Sequence, residues 1–390
     1  MTRLRFGVFM APFHRNGTNP NANLFRDLEM VEHLDRLGYD EAWFGEHHSG
    51  GTEIVGDPML FAAHAFGRTR TIKLGAGVVS VPYHNPFWVA ERTVFLDHLS
   101  RGRFMLGMGP GALATDAYML GIHSAEQRRM LEEGMEAIMH LLYRDEPLTM
   151  QTDWFNLVEA KLQLPTWSEQ IEVVTAAVQS PSGPRLAGKH GVGILQIGAT
   201  LHVGADVLAL HSDVWKEVAA EHGRTVDRST WRLVGLVHVA ETREQAVRDV
   251  AYGIDAFFDY LQKTATISHF VPQGDTLAER VAWINEAGIG AIGTAEDCIA
   301  QIESLWEQSN GGFGAYLNMH NDFANPEATC RSYELIAEQV MPHFQNQTHA
   351  RLLDAAARSR SVRDKLLAEQ QEALAAWTEK HHAERAAKAG

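Results

Sequence analysis

Cysteine is nearly absent: Cys298 and Cys330 are the only two in 390 residues, far apart and in no metal-ligand spacing. A disulfide framework is thereby excluded as the basis of the fold, and a reducing, cytoplasmic setting is the simpler expectation. Both thiols read as small buried hydrophobes. Positive charge is also scarce, with 34 Lys and Arg against 49 Asp and Glu and a formal net charge of −15. A polyanion needs a basic face to displace its counterions, so neither nucleic acid nor an anionic membrane surface is an expected partner. No apolar run approaches the roughly 18 residues of a membrane span. The N-terminal "RFGVFMAPF" is cut by Pro12 and has no small-residue cleavage site, so it reads as a first strand and not as a signal peptide. HExxH, CxxC and GxxxxGKS spacings are missing as well, which leaves a metal centre and nucleotide hydrolysis without support.

What is present is a repeated beat. "RFGVFMA" is a short apolar strand, and Leu24, Leu28, Val31, Leu34 and Leu37 follow at helical spacing until Gly38. The unit recurs: "EAWFGE" and a helix at 58–68; "IKLGAGVVSV" and a helix at 86–99; "RFMLGMG" and a helix at 124–143; "IEVVTAA" and a helix at 184–190; "GILQI" and a helix at 205–222; "WRLVGLVHVA" and a helix at 243–261; "FGAYLNM" and a helix at 326–344. Eight strand–helix units predict an α/β fold, a closed (β/α)8 TIM barrel. Two insertions interrupt it: a polar-alternating hairpin at about 145–167, and an irregular stretch at about 262–295, read as a lid over the site. The barrel is expected over 1–345. Residues 346–390, rich in Ala, Glu, Lys and Arg, read as a helical C-terminal extension.

Barrels of this kind keep their chemistry at the C-terminal ends of the strands. That rule selects Met10 to Phe13, Glu46 to His48, Val79 to His84, Gly109 to Asp116, Ala176 to Gly183 and Gln196. His47 is the foremost candidate, because an imidazole with an ordinary pKa of roughly 6.5 can exchange protons near neutral pH. His48 and Glu46 complete the catalytic set, Glu46 orienting the loop. "GMGPGA" matches a relaxed dinucleotide fingerprint, but no helix follows it directly and no acidic residue ends the next strand. It reads as a loop of small residues, Gly109 and Gly111 among them, that makes room for a ligand. Phe13, Tyr83, Trp88, Phe257, Phe258, Phe270, Trp283 and Phe313 are candidates to line an apolar pocket, with Phe13, Tyr83 and Trp283 as the substrate-facing choice. "HND" at 320–322 faces substrate or caps the eighth helix.

"LGYDEAWFGEHH", "IKLGAGVVSVPYHNPFWVAERTVFLDHLSRGRFMLGMGPG", "AAVQSPSGPRLAGKHG" and "IGTAEDCIAQI" together resemble the bacterial luciferase-like flavin-dependent monooxygenases, in their limonene monooxygenase-like branch. The resemblance spans about 3–344. It implies reduced FMN at the mouth of the barrel, with FAD as an alternative, delivered by a separate flavin reductase. Dioxygen then gives a flavin hydroperoxide that passes one oxygen atom to a small apolar substrate such as a terpene, ketone or aldehyde. It further implies His47 beside the reacting oxygen, a cis peptide at Ala76 and Gly77 against the flavin ring, and the FMN phosphate on "QSPSG". There the hydroxyls of Ser180 and Ser182 and amides near Gly183, after Ala176, can meet a dianion at a helix start. Some relatives place an arginine after the fourth strand, where this chain has Pro110. A homodimer or higher homo-oligomer is also implied. A deazaflavin-dependent hydride-transfer enzyme and a non-catalytic flavin-binding protein are the rival readings.

Overall fold

The computed structural model describes residues 3–200, 207–265, 271–345 and 347–389. The expected helix start at Ala205 and the candidate Phe270 lie outside them. The strands are β1 (Arg5–Met10), β2 (Glu41–Phe44), β3 (Lys73–Ser80), β4 (Phe104–Gly109), β5 (Leu148–Gln151), β6 (Asn156–Ala160), β7 (Glu172–Ala177), β8 (Gly193–Gln196), β9 (Trp231–Val239), β10 (Gly290–Gly293) and β11 (Ala315–Met319). Eight of them, β9-β11-β1-β2-β3-β4-β7-β8, pair in parallel, and β8 pairs back to β9 to close the ring. The chain is a TIM barrel with a helical C-terminal extension. β5 and β6 form a separate antiparallel ribbon.

Helix starts share a local cause. Asn19-Pro20, Asp57-Pro58, Asn85-Pro86 and Asn325-Pro326 each place a capping oxygen on free first-turn amides, with proline at the first helical position.

The stretch at 262–295 is more regular than the sequence predicts. Leu277–Glu286 is a helix with a Thr276/Glu279 capping box, and Gly290–Gly293 is β10. β9 is nine residues long, which explains how both partners fit: Arg232 to Gly235 pair with β11, and Leu236 to Val239 pair with β10. Gly290 serves the pairing: its added Cβ would lie 2.9 Å from the Leu236 carbonyl oxygen, a close strand approach.

Inside the ring, Phe9, Trp43, Met105, Val174, Leu195, Val234, Ala315 and Leu317 form one buried layer. Below it, at the N-terminal ends of the strands, fully buried Arg232 donates through Nε to Glu41 at 2.7 Å and through Nη2 to Glu172, and lies 4.9 Å over the Trp43 ring. Burial alone would raise Glu172, but Arg232 and Arg5 hold it down at about 2. Such a paired network is structural.

The chain divides into two compact units, Met1–Met341 and Pro342–Gly390. The second consists mainly of helices Gln347–Ser361 and Arg363–Ala389, with exposed leucines at 352, 353, 366, 367 and 374 and exposed Trp377. Among the described residues no helix is long and apolar enough to cross a membrane.

Candidate active site

Strand length and register bring the selected residues to one rim. Gly45 donates its amide to Met10 O at 2.8 Å, Ser80 to Glu46 Oε2 at 2.6 Å, Ile197 to Ala177 O at 2.9 Å and His320 to Phe9 O at 2.9 Å, so the ends of six strands are stitched together. Above the buried layer, Ala11, Val78, Ile197 and Met319 are only partly covered and form an apolar floor.

The non-proline cis peptide lies between Gly77 and Val78, one residue later than the sequence predicts. The β3–β4 register shifts between Ala76 and Val79, so Ala76 still keeps regular pairing while Gly77 and Val78 occupy the bulge. A Cβ on Gly109 would come within 2.6 Å of Val78 Cγ2 and 3.4 Å of the Ala176 Cβ, which places Val78, Gly109 and Ala176 side by side. Gly111 has a different reason to be small: its φ is +90°, and a Cβ there would meet the Tyr83 hydroxyl at 2.2 Å.

His47 is clamped by two carboxylates. Its Nε2 lies 2.9 Å from Glu53 Oε2 and its Nδ1 3.2 Å from Asp116 Oδ2. Burial alone would lower its pKa, but Glu53 and Asp116 raise it to about 10. The sequence suggests a histidine poised near neutrality; the two carboxylates instead favour its protonated form. Nothing adjacent to His47 in sequence names Asp116 or Glu53 as its partners, although the strand-end rule did reach Asp116. Asp116 also accepts from the His48 amide at 3.1 Å and from the Ser49 hydroxyl. These bonds outweigh burial and keep its carboxyl below the usual range.

Glu46, fully enclosed, accepts from His48 Nε2 at 3.0 Å and His84 Nε2 at 2.6 Å. Burial would raise it, yet these bonds and the Ser80 amide hold it ionised, and Glu46 in turn raises His48. Tyr83 stands beside this cluster, its ring 5.9 Å from that of His48 and its hydroxyl accepting from Gln127 at 3.1 Å. Gln127 also donates to Pro110 O at 2.7 Å, so the position without arginine is tied down by an amide.

On the other side of the mouth, Ser182–His190 is a helix. The Ser182 amide is taken by Ser180 Oγ at 3.2 Å and that of Arg185 by Pro181 O at 3.0 Å. Pro184 has no N–H, so Gly183 is the first-turn amide left for an external acceptor. The two serine hydroxyls are 2.8 Å apart. Gly183 must be glycine, since a Cβ would sit 2.2 Å from Ala176 O. An apolar floor beside a donor-rich helix start fits a flat ring carrying a phosphate tail.

Of the substrate candidates, Tyr83 joins the histidine cluster. Phe13 is buried against Phe257 and Tyr260, and half-buried Trp283 packs on the same satellite core. His320, pushed down to about 3 by burial, bonds the Tyr333 hydroxyl at 2.9 Å, and Asp322 pairs with Arg26 at 2.8 Å. Among the described residues no group of three or more His, Cys, Asp or Glu could hold a metal. A cleft of about 1130 Å³ lies at the opposite end of the barrel around Lys73, Glu172, His190 and Thr230. No strand C-terminal end contributes to it, so it is no rival to the mouth.

The profile of a family described as "Luciferase-like monooxygenase" matches residues 4–311. The chain belongs to that family. It is 50% identical over 350 residues to limonene 1,2-monooxygenase of Rhodococcus erythropolis, covering 90% of this chain and 89% of the other. It is 42% identical over 350 residues to 4-hydroxyprotoasukamycin monooxygenase of Streptomyces nodosus subsp. asukaensis, covering 88% and 93%. The oxygenating constituent of 3,6-diketocamphane monooxygenase of Pseudomonas putida, solved with FMN, shares the fold with a TM-score of 0.70 at 23% identity, over 87% of this chain and 98% of that one. As a member of this family the chain is a flavin-dependent monooxygenase.

Proposed function

We propose that the chain is the oxygenating half of a two-component cytoplasmic system that receives reduced FMN from a flavin reductase and places one atom of dioxygen on a small apolar substrate, a terpene of limonene's kind. The observation that carries this reading is the joining, on one rim, of an apolar floor to a histidine held as a cation.

Reduced FMN, when bound, supplies the oxygen-activating chemistry. The protein supplies the rest. Ala76 and Gly77 lead into the floor formed with Val78, Ala11, Ile197 and Met319, where the ring would rest beside Gly109 and Ala176. Ser180, Ser182 and Gly183 would hold the phosphate. His47, with Nε2 facing Glu53 and Nδ1 facing Asp116, would bring positive charge to the mouth to stabilise negative charge developing there. Glu46 and His48 fix the loop beside it, and Tyr83 borders the substrate space.

Exposed Leu60, Trp88, Phe95 and Leu99, on the helices Pro58–Phe66 and Pro86–Ser100, support self-association of the barrel. Light scattering on the purified protein checks it.

The test of function is turnover of limonene and of small ketones and aldehydes with NADH, FMN and a generic reductase under 18O2. One labelled oxygen atom per product is expected. Tight binding of a reduced deazaflavin together with failure to bind FMN would replace this reading with the hydride-transfer one.

A further inference from the structure

We propose that His14 and Asp27, a buried pair outside the mouth, are positioning residues for His47 and act on it through the Thr52–Glu53 peptide. The functional half of this inference rests on the reading of His47 given above.

The segment between β2 and the helix at Pro58 has no regular structure and carries Gly50 and Gly51 at φ of +85° and +74°. Such a loop does not hold a carboxylate in place by itself. Glu53 nevertheless sits 2.9 Å from His47 Nε2. Besides the Tyr260 hydroxyl at its side chain and the His47 amide on Val55 O at 3.2 Å, an anchor lies one residue upstream. The Thr52 carbonyl accepts twice from His14, from the backbone amide at 3.1 Å and from Nδ1 at 3.2 Å. The C=O of residue 52 and the N–H of residue 53 share one rigid plane, so the plane from which Glu53 hangs is set by His14.

Asp27, on the helix Pro20–Leu37, completes the device. Its Oδ2 lies 3.0 Å from His14 Nε2, and the two residues are only 1% and 3% exposed. A carbonyl oxygen accepts and never donates, so Nδ1 carries hydrogen, and Nε2 faces the carboxylate. Burial would lower His14, and the Asp27 pairing overcomes it, helped by Asp322. Asp27 also faces Arg26, and His320 Nε2 lies 3.9 Å from its Oδ1. At the other end, His47 faces Glu53 and Asp116, with His48 next to it and the Tyr260 hydroxyl beyond Glu53. The Tyr260 hydroxyl lies against the side chains of Thr52 and Glu53, whereas the carbonyl of the 52–53 peptide is held by His14. A helix of the barrel's outer layer is thus linked to the charge state of a residue at its mouth.

The experiment follows the His47 ring by NMR in protein carrying 13C at histidine Cε1, with the signal assigned from His47→Gln. It needs no flavin. In the wild type the His47 midpoint should lie well above pH 8. His14→Leu removes the side-chain donor and should lower that midpoint by about one pH unit or more, a tenfold change in proton affinity. His14→Asn, whose amide nitrogen takes the place of Nδ1, should restore most of it. Should His14→Leu not fold, Asp27→Asn keeps the shape without the charge and should lower the midpoint by a smaller, measurable step. An unchanged midpoint in folded His14→Leu, or in Asp27→Asn, overturns the proposal. So does an equal fall in His14→Leu and His14→Asn. Oxygenation assays on the same variants separate the two levels: a shifted midpoint without any flavin turnover in the wild type sinks the functional reading and leaves the positioning role standing.

Discussion

Replacing His47 with glutamine should make the stability of the barrel lose a specific pH dependence. The imidazole is held up to about 10 by Glu53 and Asp116 against an ordinary value of 6.5. A pKa raised by folding contributes stability that is fully present below the unfolded value and fades as pH climbs from 6.5 towards 10. At about 1.4 kcal/mol for each unit, the shift sets a ceiling on the order of 5 kcal/mol. Removing one partner from a buried pair costs about 3–5 kcal/mol, and the His47 side chain is only 13% exposed, so about 3–5 kcal/mol is the expected loss near pH 6. By pH 10 the wild-type ring is half neutral and most of this contribution has gone. Urea unfolding of both proteins at pH 6, 8 and 10 measures this, because titrating groups remote from His47 cancel in the difference. The difference should be largest at pH 6 and shrink steadily. A gap that is flat, or that widens with pH, refutes the clamp.

Arg232→Met should cost about 3–5 kcal/mol by stranding Glu41 and Glu172 in the base of the barrel, and Glu41→Gln added to it should recover part of the loss in the same urea assay. Acid should weaken the same region: Glu172, held at about 2 against an ordinary 4.5, contributes stability above pH 4.5 that is lost as pH falls towards 2, and circular dichroism will follow it. Gly109→Ala drives a methyl against Val78 at 2.6 Å and should cost about 1–3 kcal/mol, with weaker flavin binding by fluorescence quenching. The wild type should bind FMN more tightly than riboflavin, and Ser180→Ala with Ser182→Ala should narrow that ratio; an unchanged ratio removes the phosphate from this loop.

The barrel was legible because its strands and helices announce themselves by different physics. Strands buried on both faces read as apolar runs, and Asn-Pro or Asp-Pro steps mark where four helices begin. β10 was not legible, since "GAIG" is too short to show a period and its partner is the upper half of a strand already paired below. The helix at Leu277–Glu286 did carry a signal, the Thr276-x-x-Glu279 box, but it was overshadowed by the glycines around it.

At the site, the rule that barrels act at strand ends reached His47, Glu46, Tyr83 and the Ser180 loop. It also returned Phe13, which the structure packs into a satellite core, because a strand end fixes where a side chain begins and not which way it turns. What sequence could not supply was the company His47 keeps. Glu53 lies six positions downstream in an irregular loop and Asp116 sixty-nine positions away, and only the closed ring makes them neighbours. That company decides the chemistry. A lone imidazole at a strand end would titrate near neutrality and serve as readily as base or acid; between two carboxylates its protonated form is favoured across the physiological range. The functional expectation therefore changes from a group that chooses its proton state to one that always holds a proton, and the pH dependence of turnover should show no limb near 6.5 from His47.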